Sequence, residues 1–473
     1  MTRPLGWQLP SSTFHTVLWT IALLVAAGIS ALIPPMASPD EMTHITRAYL
    51  ISQGTVLMQP PGEGLPQDAG ISARVKAFFS PTRVGGMVDK RLNDFVDVHS
   101  FLIAHKDRIV TPVEQKQLNS YGWTDAKSFY GMQGTGYYFP AIYAPQALAL
   151  AIGQGLDLNL AHSYQLVRGL TLLACFAMLW LAFKLVPPNP WVAAILLLPM
   201  SVFQLLSPTL DGLTTSLAVL TVSLFLTAVA PVSRSSATVS WGLALCLFLL
   251  ATSRTHLLPL LALPFFVAWQ RQSRRDFYLG CGVAAGAIAW TLFALMTTSD
   301  LRIVRHLTTT QLLLFYAADP LAFFRVVWAT LVDQFEFFKL SFIGLLGWLD
   351  TRLPLAYYPI LWQGLGLCAL ASVSLASLRE DWRARLLLLL LALASVALIF
   401  LALLVTWTPH PATMVLGVQG RYFVVPAILL GYVVSGTPTP QSTLRRSFSG
   451  LVLAGFAYYA LSSLTMALVE RYH

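Results

Sequence analysis

Residues 40–47 read Asp-Glu-Met-Thr-His-Ile-Thr-Arg, and they follow directly on an apolar run at 14–34. Adjacent carboxylates, an imidazole and a guanidinium in so short a stretch could move a proton and hold an anion. Helical spacing puts Asp40, His44 and Arg47, at i, i+4 and i+7, on one face. A carboxylate within hydrogen-bond reach of a hydroxyl can act as a general base, and Asp40 and Glu41 are both of the right type. The structural alternative is a pair of N-terminal helix acids favoured by the macrodipole, with Ser38 or Asp40 as cap.

Other groups of this kind are scattered along the chain. Asp211 stands in LLSPTLDGL between two apolar runs, where a carboxylate is either a helix cap or a functional group. Arg168, Arg254 and His256 lie near the ends of apolar runs, as anion-binding groups or as snorkelling side chains. Residues 417–423, GVQGRYF, offer Gln419, Arg421 and Tyr422 between glycines that let backbone approach a partner. The fork of Arg421 suits a phosphate, while an interfacial Arg-Tyr anchor is the plainer reading. Asp350 ends the stretch GLLGWLD at 344–350. No Walker loop, dinucleotide fingerprint or HExxH helix is present.

The elements that must position these groups are set by composition. Of 473 residues, 56% are hydrophobic and 11% charged, far fewer charges than the ~25% of soluble domains. Apolar runs near the ~20 residues needed to cross a bilayer recur, at 14–34, 163–186, 190–206, 212–230, 238–252, 254–270, 276–298, 355–377, 385–406, 421–436 and 448–468. The expected fold is an all-α polytopic membrane protein of about eleven spans, between nine and thirteen, forming a single integral-membrane domain over 1–473. The first run is read as an uncleaved span, because it exceeds a signal-peptide core.

The net charge of +9 does not point to nucleic acid. Its lysines and arginines sit in short clusters between apolar runs, as at 270–275, 379–385 and 445–446, and such clusters fix topology. Placing them in the cytoplasm puts the N-terminus inside and the long loop 35–160 outside, with juxtamembrane helices. Residues 138–155 lie at the interface in this threading instead of crossing. The region 300–353 becomes a second outer loop or a re-entrant pair. PPGEG and VGG read as turns within the first loop. All candidate side chains then fall on one membrane face, the outer one. Cys175, Cys246, Cys281 and Cys368 fall in apolar runs and imply neither a disulfide framework nor zinc.

The stretches 34–54 (PPMASPDEMTHITRAYLISQG), 344–350 (GLLGWLD) and 417–423 (GVQGRYF) resemble the bacterial membrane family DUF2142. Gly136–Gly155 followed by Arg168 is similar to an arrangement in the GT-C glycosyltransferases, with Gly-Tyr-Tyr-Phe-Pro where Lys-Pro-Pro usually stands. The resemblance implies a GT-C-like enzyme that uses a polyprenyl-phosphate sugar as donor and a glycan or lipid as acceptor. It also implies a first-loop acid as general base, which here matches Asp40, with Glu41 beside it. His44, Arg47, Arg168, Asp211, Arg254, His256, Asp350, Gln419, Arg421 and Tyr422 are the expected substrate-binding residues. Whether a divalent cation, Mg or Mn, joins Asp40 and Asp211 stays open at this stage. A polysaccharide ligase or polymerase would use similar donors. A transporter or flippase would instead place ionisable groups near the midplane.

Overall fold

The computed structural model describes residues 12–58, 85–105, 107–132, 134–230, 237–297, 307–374, 381–434 and 443–473. The first apolar run forms α1 (Ser12–Ala31), and the loop after it carries α2 (Glu41–Ser52), α3 (Lys90–Ala104), α4 (Pro112–Leu118) and α5 (Ala144–Gly155). Next come α6 (Leu160–Leu185), α7 (Pro190–Leu197), α8 (Pro199–Leu206), α9 (Leu210–Val229), α10 (Ala237–Ser253), α11 (Leu263–Arg271) and α12 (Arg274–Thr297). The last part holds α13 (Thr309–Ala318), α14 (Pro320–Asp333), α15 (Phe335–Gly344), α16 (Tyr357–Ser372), α17 (Trp382–Thr406), α18 (Val424–Val434) and α19 (Thr443–Tyr472). This is a polytopic helical membrane architecture. α9 lies at its centre, with 89% of its apolar window buried by neighbouring elements.

The described residues do not establish all eleven expected crossings. Five helices are long and apolar enough to cross on their own: α6, α9, most of α12, α17 and most of α19. α13 and α14 pass together as a sixth, but they meet at a bend of 102°. Other expected spans are short or broken for identifiable reasons. The run at 190–206 divides into α7 and α8 because Pro199 drives Leu198 out of the helical region, to ψ 139°. The run at 254–270 opens with a 3₁₀ stretch, Thr255–Ala262, that contains Pro259.

Basic residues collect at one end of the bundle. Arg275 donates to Ser240 Oγ at 3.0 Å, Arg385 to the Val433 carbonyl at 2.7 Å, and Arg445 to the carbonyls of Ala371 and Val373. The loop helices gather at the other end. α5 has twelve residues, about 18 Å of helix against a hydrocarbon core of about 30 Å. It folds back along α6, with Gly153 packed on Ser163, and its start is tied to α10 where Phe139 N–H meets the Thr252 carbonyl at 3.1 Å.

Two features depart from a purely helical reading. The two glycines of VGG do not form a turn: Gly85 and Gly86 begin β1 (Gly85–Asp89), antiparallel to β2 (Lys127–Gly131). A Cβ on Gly85 would lie 2.0 Å from the Tyr130 carbonyl oxygen, so close packing requires that glycine, and one on Gly86 would press on the Leu50 side chain at 2.5 Å. The stretch GLLGWLD likewise forms a tight hairpin, β3 (Leu345–Leu346) on β4 (Thr351–Arg352). PPGEG lies outside the described residues.

Candidate functional site

Three stretches far apart in sequence meet at the loop end of the bundle. Trp348, at the tip of the β3–β4 hairpin, donates its indole N–H to the Met36 carbonyl at 3.2 Å. Arg421, in the 3₁₀ turn Gly420–Phe423, donates to Asp40 Oδ2 at 3.1 Å and to Asp211 Oδ2 at 3.0 Å. The other oxygen of Asp211 accepts from Arg254. Two aspartates and two arginines thus form one alternating chain, Asp40–Arg421–Asp211–Arg254, with balanced charge.

Local structure explains how Asp40 is presented. It precedes α2 with φ 62° and ψ 3°, left-handed backbone that aspartate enters more readily than most residues. An ordinary N-cap is extended and folds its side chain onto the helix N–H groups. Asp40 makes no such bond. Its side chain is 52% exposed, whereas that of Arg421 is 4% exposed. The plain capping role is therefore absent here, and the carboxylate reaches outward from a buried cation.

Glu41 has the opposite surroundings. It is fully buried and accepts from the backbone N–H groups of Met36 (3.2 Å) and Ser38 (3.0 Å) and from the Tyr164 hydroxyl. Burial raises its pKa above the usual carboxylate value, against the pull of Arg168 and of those hydrogen bonds. Arg168 in turn donates to the carbonyls of Ser30, Ile33 and Pro34 at 2.7–3.2 Å and to Tyr164 at 2.6 Å. Glu41 and Arg168 together clamp the loop that carries Asp40.

A cavity of about 340 Å³ opens beside Asp40. Its aromatic wall is Tyr137, Tyr138, Trp348, Trp407 and Tyr422, and its polar groups include Asp40, Thr43, His44, Gln419 and Arg421. His44 shares a hydrogen bond of 2.9 Å with the Tyr143 hydroxyl, and burial pushes its pKa down to about 4 although Asp40 pulls the other way. The imidazole is neutral at physiological pH. The side-chain oxygen of Gln419 is buried without a partner in the protein. His256 lines a small space on the far side of Arg421, with Asp211 and Arg254.

Of the expected residues, Asp40, His44, Asp211, Arg254, His256, Gln419, Arg421 and Tyr422 come together around this chain of charges. Arg47 does not line the cavity. It is buried and reaches forward to the Val56 carbonyl at 2.6 Å, closing the loop after α2. Asp350 pairs with Arg471 at 3.8 Å, and Arg168 lines a different cavity. The two glycines of GVQGRYF differ: a Cβ on Gly420 would lie 2.2 Å from the Phe342 nitrogen, so Gly420 serves protein packing, whereas Gly417 lines the cavity. Of the aromatic wall, sequence reasoning named Tyr422 but not Tyr137, Tyr138 or Trp407, although the Tyr137-Tyr138 pair stood inside a stretch already singled out.

A cation bridging Asp40 and Asp211 does not fit these residues, because the Arg421 guanidinium already lies between the two carboxylates. Among the described residues no group of three or more His, Cys, Asp or Glu could hold a metal ion.

No curated protein and no solved structure matches the chain. The family model for DUF2142, described as predicted membrane protein, matches residues 23–430, which include every member of the Asp40–Arg421–Asp211–Arg254 chain. By that match the chain belongs to the DUF2142 family of membrane proteins.

Proposed function

We propose that this protein is an integral-membrane glycosyltransferase of GT-C type with an inverting mechanism. It moves a sugar from a polyprenyl-phosphate donor to a hydroxyl of a glycan or lipid on the periplasmic face of a bacterial inner membrane. The observation that carries this reading is the Asp40 carboxylate, uncapped and half-exposed, held by a buried arginine at the edge of an aromatic-walled cavity. Flat aromatic faces with a few fixed polar groups suit a sugar ring, and the unpartnered oxygen of Gln419 suits one of its hydroxyls.

The chemistry follows from the charge chain. Asp40 takes the proton of the acceptor hydroxyl, whose oxygen bonds to the anomeric carbon. The carbon–oxygen bond to the phosphate breaks, and its electron pair leaves with the phosphate. Before the reaction the two arginines are balanced by two aspartates. When Asp40 becomes a neutral acid, it no longer balances Arg421, and a net positive charge appears as the phosphate departs. Stabilisation that grows only as the transition state is approached raises turnover and not mere binding.

Purified protein with a polyprenyl-phosphate sugar and a hydroxyl acceptor tests this reading. Asp40→Asn keeps size and tolerates the left-handed backbone, so donor binding should persist while turnover falls by about 10²–10⁴-fold, the usual general-base contribution. Glu41→Gln is the control, since it should lower thermal stability before it lowers turnover per folded molecule. Near-normal turnover in Asp40→Asn would remove Asp40 as the base.

A further inference from the structure

A second cavity, of about 620 Å³, lies beyond the Glu41–Arg168 clamp, between α1 and α6 and beneath α3. Small residues make room for it: Ala27 and Ala31 on α1 oppose Ala161 and Gly169 on α6. A Cβ built on Gly169 would meet nothing within 4 Å. The adjoining face of α1, with Leu18, Ile21 and Leu24 at least half exposed, is the apolar surface a bilayer would cover.

Two buried polar atoms on residues lining this cavity have no partner in the protein, His99 Nε2 and Arg168 Nε. His99 is 1% exposed, and its Nδ1 lies 2.8 Å from the Phe95 carbonyl, which can only accept. The proton therefore sits on Nδ1, and Nε2 is a bare acceptor. Burial and the nearby Arg168 push the imidazole down to about 4, so it stays neutral. Arg168 Nε–H is a donor. Its terminal nitrogens are already taken by carbonyls and Tyr164, whose hydroxyl in turn meets Glu41, so the cavity offers few free donors to an anion.

An orphan acceptor and an orphan donor on residues that line one mostly apolar cavity call for a group that both donates and accepts, as a hydroxyl does. We propose that this cavity binds a membrane lipid with an uncharged, hydroxyl-bearing head, the hydroxyls satisfying His99 Nε2 and Arg168 Nε and the chains lying between α1 and α6. The site is separate from the Asp40 cavity and does not depend on the reaction proposed for it.

The test uses the full chain in lipid nanodiscs with two photoreactive probes of identical acyl chains, diacylglycerol and phosphatidic acid. Diacylglycerol should label residues 27–35 and 161–172, be displaced by unlabelled diacylglycerol, and exceed phosphatidic acid by at least roughly ten-fold, about 1.4 kcal/mol. Gly169→Leu fills the space and suits a helix better than glycine by about 1 kcal/mol, so it should abolish labelling without lowering the melting temperature. His99→Phe should reduce the preference for the hydroxylated probe. Equal labelling by both probes, preference for phosphatidic acid, or labelling unchanged in Gly169→Leu would each overturn the proposal. Should either variant fold poorly, competition between the two probes on the native chain decides the matter.

Discussion

At the scale of single residues, adjacency in sequence conceals opposite roles. Asp40 and Glu41 are neighbours, yet Asp40 stands in left-handed backbone before α2 while Glu41 is the first residue of the helix, and their side chains part. One carboxylate meets Arg421 at a cavity, and the other is buried against Tyr164. Their types and position were legible from the sequence, but which one faces the cavity depends on the left-handed turn at Asp40, and no local signal announces it. Arg47 misled for a related reason, since helical phase places its Cα but a long side chain can reach nine residues onward to Val56. The buried imidazoles allow a prediction about acid. His44 and His99 fall from an ordinary 6.5 to about 4 in the folded protein because burial disfavours their charged forms. Between those values the unfolded chain binds more protons, so stability decreases as pH falls from 6.5 and levels off below 4. Each histidine contributes at most roughly 3 kcal/mol across that window. Melting temperatures in detergent at pH 7, 6, 5 and 4 should fall steadily, and the slope should lessen in His99→Gln.

At the scale of elements, apolarity was read correctly and continuity was not. Residues 190–206 are apolar throughout, which masks the effect of Pro199, and only the backbone shows that two short helices replace one. The strand at Gly85–Asp89 was hidden for another reason: its partner, Lys127–Gly131, lies about 40 residues away, beyond the reach of hairpin signals. The turn that carries Arg421 is set by contact between elements. Gly420 donates its N–H to Ser341 Oγ at 2.9 Å and packs on the backbone of α15. Gly420→Ala should therefore force α15 and the Arg421 turn apart, at a cost of about 1–3 kcal/mol, seen as a lower melting temperature. Gly122→Ala, with nothing within 4 Å of the added carbon, is the control and should leave the melting temperature nearly unchanged.

At the scale of the whole molecule, the distribution of charge was the most legible feature. Clusters of arginine near 275, 385 and 445 lie at one end of the bundle, and the candidate residues lie at the other. The orientation proposed above, with the first end in the cytoplasm, rests on the positive-inside rule. With native cysteines replaced, a single cysteine at exposed Ser120 should react with an impermeant maleimide in intact cells. One at Gln272 should react only after permeabilisation. The reverse pattern would turn the molecule over and place the Asp40 cavity on the cytoplasmic side. The number of crossings was less legible, since composition counts apolar runs while bends such as that between α13 and α14 decide which of them cross.

The balance between two arginines and two aspartates also governs how a substrate arrives. Beyond a Debye length of about 8 Å in physiological salt, the four charges nearly cancel. On the proposed reading they exert no long-range steering on an anionic donor, which would find the cavity by lateral diffusion in the bilayer. The apparent KM for a lipid-phosphate sugar should consequently change by less than roughly two-fold as ionic strength is raised ten-fold. Asp211→Asn leaves one arginine uncompensated and converts the same entrance into an electrostatic funnel. In that variant donor capture should become faster in dilute buffer and slow steeply with added salt.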